Sequence, residues 1–386
     1  MRQLYLAATG QNRGKTTASL GLVDGFQRRG LRTGFIKPVG QRTVIEAGQP
    51  ADEDAVLMKA IFDLPEPYPV MSPVHIPRGF TKAYIAGQVV EDLGARVRAA
   101  HRTFADHDML VIEGTGHAGV GAVIGLSNAV VAQMLGAPAV IVSEGGVGRP
   151  IDEIVLNASH FAAYGVTVAG AIVNKVRVDE QPGIEETLRR GLARHGIPLL
   201  GVLPYRPILS NPTLGMVLEG VRGRVICPGS DLDLVIEGVA IGAMEPDHML
   251  SRVGQGTLVI VPGDREDLIV TLTAAHLAKR HRGSDVSAML DETPRAVDAG
   301  PRGAAAGMIL TGGYEPRPEV LQGIREADLF SALVDEDTYT VASEVHDLLV
   351  KTHAADRGKI EMIKELVWDF LEIDRFRDAS TIARFD

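Results

Sequence analysis

Along the first half of the chain, short apolar runs alternate with segments that have a helical pattern. The runs lie at 4–8, 31–39, 109–112, 137–144, 166–175 and 198–203. Runs of Val, Ile and Ala without polar alternation are typical of strands covered on both faces, and the strand, helix, strand order favours a parallel sheet. We therefore expect an α/β protein whose first domain, residues 1–215, is built on a doubly wound, mostly parallel sheet.

From about residue 220 the apolar runs become shorter and more irregular. Strand-like runs lie at 235–241, 257–261 and 307–310, and helical patterns lie at 266–280 and 359–372. Between about 281 and 306 the chain is rich in Asp, Pro, Gly and Ala but poor in large apolar residues, which is typical of a flexible segment. We expect a second, smaller α/β domain over residues 220–375 that carries a flexible insertion at about 281–306.

The chain has 386 residues and a formal net charge of −10. Non-specific nucleic-acid binding relies on clustered Lys and Arg, so this charge argues against a nucleic-acid partner. The single cysteine, Cys227, excludes an intrachain disulfide and a cysteine-cluster metal site. The first strand begins almost at Met1, and the apolar runs are broken well before bilayer length. We therefore expect a cytoplasmic protein that has no membrane partner.

The first apolar run leads into a glycine-bounded loop, residues 10–17 (GQNRGKTT), which opens a helical pattern. Gly10 and Gly14 allow the backbone to turn around an anion, Lys15 offers a charge for phosphate, and the Thr16 hydroxyl suits Mg²⁺. The loop reads GxxxGKT, which is one residue shorter than the usual GxxxxGK[ST]. We interpret the segment as a P-loop; the alternative is a glycine turn with an incidental lysine.

Three further charged residues lie where a parallel sheet binds its ligand. Lys37 ends the second strand, Glu113 ends the run at 109–112, and Asp54 starts a helical pattern. Ligands of such sheets bind beyond the carboxyl ends of the strands, and Mg²⁺ prefers carboxylate oxygens. The alternatives are a solvated Lys37, an Asp54 that only caps its helix, and a Glu113 bonded to the N–H groups of the following glycine turn.

Several segments together resemble a known family. ATGQNRGKTT, FIKPVG, DEDAVLM, VIEGTGH and AIVNK resemble the dethiobiotin synthetase-like branch of P-loop ATPases, which also holds the cobyrinate diamide synthases. The short GxxxG loop, VNK and LPYRPILSNPT more closely resemble the N-terminal domain of long phosphate acetyltransferases. PGDRED and ILTGG resemble the DRTGG domain that follows it there. The resemblance covers nearly the whole chain and implies a P-loop domain followed by a DRTGG domain.

This resemblance implies a set of contacts to ATP and Mg²⁺. ATP would be held by Gly10, Gln11, Asn12, Arg13, Gly14, Lys15, Thr16, Thr17 and Asn174. Mg²⁺ would be held by Thr16, Asp54 and Glu113, and the catalytic residues would be Lys15, Lys37 and Glu113. Asn174 would read the adenine edge, since an amide donates and accepts hydrogen bonds at once. From its position alone, Asn174 is a strand-end turn residue.

Two classes of function follow from these expectations. In the first, the protein binds Mg-ATP and couples binding or hydrolysis to regulation through the DRTGG domain. In the alternative, it is an ATP-dependent ligase that phosphorylates a small carboxylate-like acceptor. We expect ATP hydrolysis or ATP-dependent phosphoryl transfer by a protein that is not itself a phosphate acetyltransferase, since the sequence up to Asp386 leaves no room for an acyl-transfer domain. The acceptor or protein partner is left unidentified, and a homodimer is expected.

Overall fold

The computed structural model of the chain describes residues 1–177, 182–254, 256–285, 305–346, 348, 352, 354 and 356–383. The chain divides into two compact units. The first unit comprises Met1–Arg206 together with Thr352–Asp386, and the second comprises Pro207–Lys351. No helix in the described ranges has the length and apolar content needed to cross a bilayer.

The first unit contains eleven strands and ten α-helices within the described residues. Its strands are β1 (Arg2–Ala8), β2 (Thr33–Ile36), β3 (Val39–Gly40), β4 (Thr43–Glu46), β5 (Gln49–Asp52), β6 (Val74–His75), β7 (Met109–Glu113), β8 (Ala139–Glu144), β9 (Val168–Val176), β10 (Leu199–Pro204) and β16 (Thr381–Ile382). Its helices are α1 (Lys15–Arg28), α2 (Glu53–Phe62), α3 (Tyr68–Met71), α4 (Phe80–Ile85), α5 (Leu93–Arg102), α6 (Asn128–Leu135), α7 (Gly148–Ala163), α8 (Ile184–Ala193), α15 (Arg357–Phe370) and α16 (Ile373–Ala379). A 3-10 helix spans Ala122–Ile124.

The large sheet of the first unit has the strand order β10-β9-β8-β1-β7-β2, and all neighbours along this path are parallel. Strand β16 adds an antiparallel pair at the start of β1. Both β2 and β7 are buried at every residue. Because successive side chains point to opposite faces, burial at every position means that both faces of the sheet are covered. This explains why the apolar runs lack alternation.

The chain returns to the first unit with α15, which packs against α1. Gly21 of α1 faces Val367 so closely that a Cβ on Gly21 would lie 2.2 Å from the Val367 Cβ. A Cβ on Gly25 would lie 2.7 Å from the Cδ1 of Ile373, which begins α16. Two arginine side chains of the α1 C-terminus lie over the ring of Trp368, at 5.0 and 5.1 Å from its centroid. Residues without a Cβ on one face of α1 thus allow the close approach of the C-terminal helices.

The second unit is smaller and has its own sheet. Its strands are β11 (Arg224–Cys227), β12 (Gly238–Ile241), β13 (Thr257–Pro262), β14 (Gly307–Thr311) and β15 (Phe330–Leu333). Its helices are α9 (Pro207–Ser210), α10 (Leu214–Gly220), α11 (Pro246–Leu250), α12 (Glu266–Asp285), α13 (Pro318–Ala327) and α14 (Thr338–His346). The order is β11-β15-β14-β13-β12, in which only the β11–β15 pair is antiparallel.

The predicted fold class is confirmed: the protein is α/β, with a mostly parallel doubly wound sheet and a second, smaller α/β unit. The domain limits 1–215 and 220–375 stay a prediction. They differ from the two compact units at the C-terminus, because α15 packs on α1 of the first unit. Residues 286–304 of the predicted flexible insertion, 281–306, lie outside the described residues.

Candidate functional site

The glycine-bounded loop joins the central strand β1 to the N-terminus of α1. Helix α1 begins at Lys15, and its N-cap residue Gly14 has a left-handed backbone with φ 92°. A Cβ on Gly14 would lie 1.9 Å from the Nδ2 atom of Asn174, so this position requires glycine for both its conformation and its space. The free N–H groups of the α1 N-terminus therefore point into a loop that suits an anion.

Residues from the ends of β8 and β9 fasten the loop. The Asn174 amide donates to the carbonyl oxygen of Arg13 at 3.2 Å, and the Lys175 ammonium donates to the carbonyl oxygen of Asn12 at 2.9 Å. Glu144 pairs with Lys175 at 3.1 Å and also contacts the Arg13 guanidinium. The position of Asn174 beside the P-loop backbone was not foreseen, and its role in reading adenine stays a prediction.

Sequence reasoning did not foresee that Lys175 and Glu144 hold the loop. Lys175 is the last residue of the VNK motif and has a left-handed φ of 55°, which turns the end of β9 towards the loop. The VNK motif gave a partial signal, since its lysine adjoins the asparagine that was singled out. Among the other predicted contact residues, Gln11 and Asn12 are exposed, whereas Gly10 and Thr17 are half-buried.

Four predicted residues meet beside this loop. The Lys37 ammonium lies 2.6 Å from the Asp54 Oδ2 atom and 2.8 Å from the Glu113 Oε1 atom. The Thr16 hydroxyl lies 3.0 Å from the Asp54 Oδ1 atom and 3.3 Å from the Glu113 Oε1 atom. Strands β1, β7 and β2 are consecutive in the sheet, so the residues that follow or end them come together at its carboxyl edge.

The surroundings of these residues decide between the alternatives for Asp54 and Glu113. Asp52 caps α2, because its carboxylate accepts from the Asp54 N–H at 3.1 Å, which leaves the Asp54 side chain free to face Lys37 and Thr16. The N–H groups of Gly114 and Thr115 donate to a carbonyl of β1 and to a side chain of α6. These two amides therefore bond to other groups, and the Glu113 carboxylate faces Lys37 and Thr16 instead.

Burial and charge shift the pKa values in this cluster. Burial raises the pKa of Glu113 to about 7, against the opposing charge of Lys37. Burial alone would lower the pKa of Lys37, but the charges of Asp54 and Glu113 outweigh it and hold that pKa above its usual value. Burial would raise the pKa of Asp54, but the Lys37 charge and hydrogen bond hold it below the usual range. Lys37 is only 4 % exposed, so it is not a solvated edge lysine.

Lys15 is the second buried cation of the site. Its pKa is lowered to about 8, first by burial and then by the nearby charge of Lys37. A phosphate placed in the loop would oppose both effects, since an adjacent anion favours the charged form of a lysine.

The donor set of this cluster fits magnesium. The Thr16 hydroxyl and the carboxylates of Asp54 and Glu113 are the hard oxygen ligands that Mg²⁺ prefers. Among the described residues, the Glu113 Oε2 atom is buried and has no hydrogen-bond partner, which is costly for a carboxylate oxygen. Within the same described ranges, no group of three or more His, Cys, Asp or Glu side chains is placed to hold a metal. Mg²⁺ demands near-octahedral coordination, so a magnesium ion here would need further oxygens, such as those of phosphates or water.

A protein-family model described as an AAA domain matches residues 2–213, which is more than half of the chain. The chain belongs to this AAA domain family. The DRTGG domain model matches the following residues, 216–348. The resemblance inferred from the motifs is confirmed: the AAA domain is a P-loop domain, a DRTGG domain follows it, and the N-terminal region of phosphate acetyltransferases has this architecture.

The AAA and DRTGG regions together are similar to curated phosphate acetyltransferases. The enzyme of Pseudomonas putida KT2440 is 28% identical over 391 residues, which cover 96% of this chain and 51% of that protein. The enzyme of Pseudomonas aeruginosa PAO1 is 26% identical over 394 residues, which cover 97% of this chain and 51% of that protein. The chain thus spans about half the length of the curated relatives it matches.

These relatives overturn the prediction on enzymatic activity. The sequence predicts an enzyme of ATP hydrolysis or phosphoryl transfer that is not a phosphate acetyltransferase. That prediction is wrong: proteins that match at least 92% of the chain in four different genera carry the name phosphate acetyltransferase. The position of Asp386 does not show that an acyl-transfer domain is absent.

Solved structures with similar folds share little sequence with the AAA and DRTGG regions. An ATP complex of a Cyanothece McdA variant covers 54% of this chain and 85% of its own, with 17% identity and a TM-score of 0.33. A second structure contains the CBS and DRTGG domains of the Clostridium perfringens pyrophosphatase regulatory region, complexed with diadenosine tetraphosphate. Its alignment covers 42% of this chain and 63% of its own, with 15% identity and a TM-score of 0.28.

Proposed function

We propose that this chain binds Mg-ATP and forms a nucleotide-responsive, regulatory region of a phosphate acetyltransferase. The observation that carries the nucleotide part is the meeting of Lys15, Thr16, Lys37, Asp54 and Glu113 at the N-terminus of α1. Phosphate binding uses a helix N-terminus, a lysine and a hydroxyl, and these stand together here. The acetyltransferase part of the proposal is supported by the relatives that match nearly the whole chain.

In this proposal the loop residues, Gly10–Thr17, surround the phosphates and Lys15 neutralises part of their charge. Thr16, Asp54 and Glu113 hold the magnesium ion, which offsets the charge of the phosphates when it is bound. Burial of Glu113 in a water-poor environment strengthens its electrostatic interactions. Asn174 and Lys175 keep the loop in its shape through the carbonyl oxygens of residues 12 and 13.

The second unit is the proposed regulatory partner of this site within the chain. Its strands β13 and β14 are neighbours, and the Gly263 N–H donates to the carbonyl oxygen of Thr311 at 3.0 Å, so the loops after both strands adjoin. Arg265 makes two hydrogen bonds of 2.9 Å to Asp267, which gives this arginine a structural role. We propose that regulation acts through this loop surface as a whole and not through the charge of Arg265.

Calorimetric titration with ATP and Mg²⁺ tests the nucleotide part. Lys15→Ala should abolish binding, whereas Lys82→Ala, which removes an exposed lysine of α4, should leave the dissociation constant unchanged. An unchanged dissociation constant in Lys15→Ala would remove the P-loop proposal.

The regulatory part needs a second measurement. Acetyl transfer to phosphate by the protein is followed with and without Mg-ATP, in the wild type and in Lys15→Ala. We expect the nucleotide to change the rate in the wild type only. A rate that does not change when ATP is bound would contradict regulation, and absence of acetyl transfer would show that this region does not catalyse the transfer itself.

A further inference from the structure

The ammonium group of Lys37 occupies the space between two carboxylates. It lies 2.6 Å from Asp54 and 2.8 Å from Glu113, and the Thr16 hydroxyl lies within 3.3 Å of both carboxylates. These three oxygen-bearing side chains are the ones that suit magnesium. The cation between the two carboxylates is therefore a side chain of the protein, the Lys37 ammonium.

The burial of this group makes the pairing strong. Glu113 is fully buried and Lys37 is 4 % exposed, so water screens neither charge effectively. A buried carboxylate that loses its partner is unfavourable, since its charge then has no compensation. A cation between two carboxylates that converge on one point therefore stabilises the site.

We propose that Lys37 serves as an internal counter-ion that occupies the metal position in the nucleotide-free protein and excludes divalent cations from it. The proposal rests on the function proposed above and concerns the regulation of the same site. A divalent ion and an ammonium between the same two carboxylates would repel each other, so the ion can enter only when Lys37 leaves.

The consequence is an order of binding. Lys37 needs other anions once it leaves Asp54 and Glu113, and the nucleotide phosphates are the anions that the adjoining loop is built to hold. Metal binding then depends on nucleotide binding, and the empty protein does not fill its site with Mg²⁺. This role differs from that of a lysine which only touches phosphate, because such a lysine leaves the metal position open.

The test is a titration of nucleotide-free protein with Mn²⁺, read by the paramagnetic resonance signal of the free ion. Lys37→Met keeps the length of the side chain and removes its charge. We expect this variant to bind Mn²⁺ at least tenfold more tightly than the wild type, and Mg²⁺ to raise the melting temperature of the variant alone. The matched control is Lys82→Met, which removes an exposed lysine of α4 and should leave Mn²⁺ affinity unchanged.

A double variant locates the ion. Lys37→Met combined with Asp54→Asn removes a carboxylate of the site, and we expect the gain in Mn²⁺ affinity to disappear. Equal affinities in Lys37→Met and the wild type would overturn the proposal, as would an equal gain in Lys82→Met. If Lys37→Met does not fold, Lys37→Gln replaces it, because its amide can donate to both carboxylates.

The Mn²⁺ affinity of the wild type alone also tests the proposal. Tight Mn²⁺ binding to the nucleotide-free wild type overturns the proposal, whatever the variants do. The titration contains no nucleotide, so its outcome is separate from that of the ATP calorimetry. Failure of the wild type to bind ATP would contradict the proposed function. The Mn²⁺ titration would still decide whether Lys37 excludes divalent cations.

Discussion

The contact between the P-loop helix and the C-terminal helix can be tested by adding a single methyl group. In Gly21→Ala the new Cβ would lie 2.2, 2.3 and 2.5 Å from the Cβ, Cγ2 and Cγ1 atoms of Val367. Carbon atoms in contact prefer about 3.5–4.0 Å, so the helices would have to separate by more than an ångström. A rotamer change of Val367 cannot relieve this clash, because its Cβ is itself the nearest atom.

The expected size of the effect follows from two opposing contributions. Inserting a methyl group into a well-packed core costs about 1–3 kcal/mol, whereas alanine favours a helix over glycine by about 1 kcal/mol. We therefore expect the free energy of unfolding to fall by up to about 2 kcal/mol. Each kcal/mol lowers the melting temperature by about 2–4 °C in a unit of 150–250 residues.

Urea unfolding followed by tryptophan fluorescence measures this change directly, since Trp368 is the only tryptophan of the chain and lies on α15. The control is Gly358→Ala in the same helix, where a Cβ meets no atom within 4 Å. That variant should be as stable as the wild type or slightly more stable. In a Val367→Gly background, which lacks the clashing Cβ, Gly21→Ala should no longer be destabilising in a double-mutant cycle. If Gly21→Ala behaves like Gly358→Ala, the packing of α15 on α1 is refuted.

Three further predictions concern the nucleotide site. Phosphate binding favours the charged form of Lys15, whose pKa is about 8 in the free protein. ATP affinity should therefore be highest below pH 8 and fall above it by up to about tenfold per pH unit. A calorimetric ATP affinity that does not change from pH 7 to 9.5 would contradict this. Glu113→Gln should weaken the enhancement of ATP binding by Mg²⁺ and leave magnesium-free binding largely intact, because it removes one charged oxygen ligand; a much lower melting temperature with and without nucleotide would show a mainly structural role instead. ATP should stabilise the protein against heat more than GTP if Asn174 meets the base edge, and equal stabilisation would count against that role.

The sheet and the positions of the site residues could be predicted from local sequence. Strands β7 and β8 are buried on both faces, so their runs of Val, Ile and Leu or Ala stand out without any knowledge of their neighbours. Parallel strands bring their carboxyl ends to one edge, which is why Lys37 and Glu113 could be placed near the P-loop from the sequence.

The partners within the site could not be predicted in the same way. Whether Lys37 faces phosphate or a pair of carboxylates depends on side-chain directions in three separate segments, and the sequence has no signal for these. Asn174 was singled out by resemblance, but its contact with the Arg13 carbonyl depends on how closely Gly14 approaches β9. The packing of α15 was missed because Gly21 looks like an ordinary helical glycine until its neighbour is known.

The return of the chain to the first unit has a practical consequence for anyone who wishes to study nucleotide binding in isolation. A cut at Thr213, where the AAA match ends, would discard α15, α16 and β16 and would expose the face of α1 that α15 and α16 cover. The first unit, which carries the proposed nucleotide site, is discontinuous in sequence. Excising residues 207–351 and joining the two remaining pieces with a long Gly/Ser linker keeps every strand and helix of that unit. A fragment cut at Thr213 would measure the loss of a helix layer, and any change in its affinity for ATP would be wrongly credited to the missing DRTGG domain.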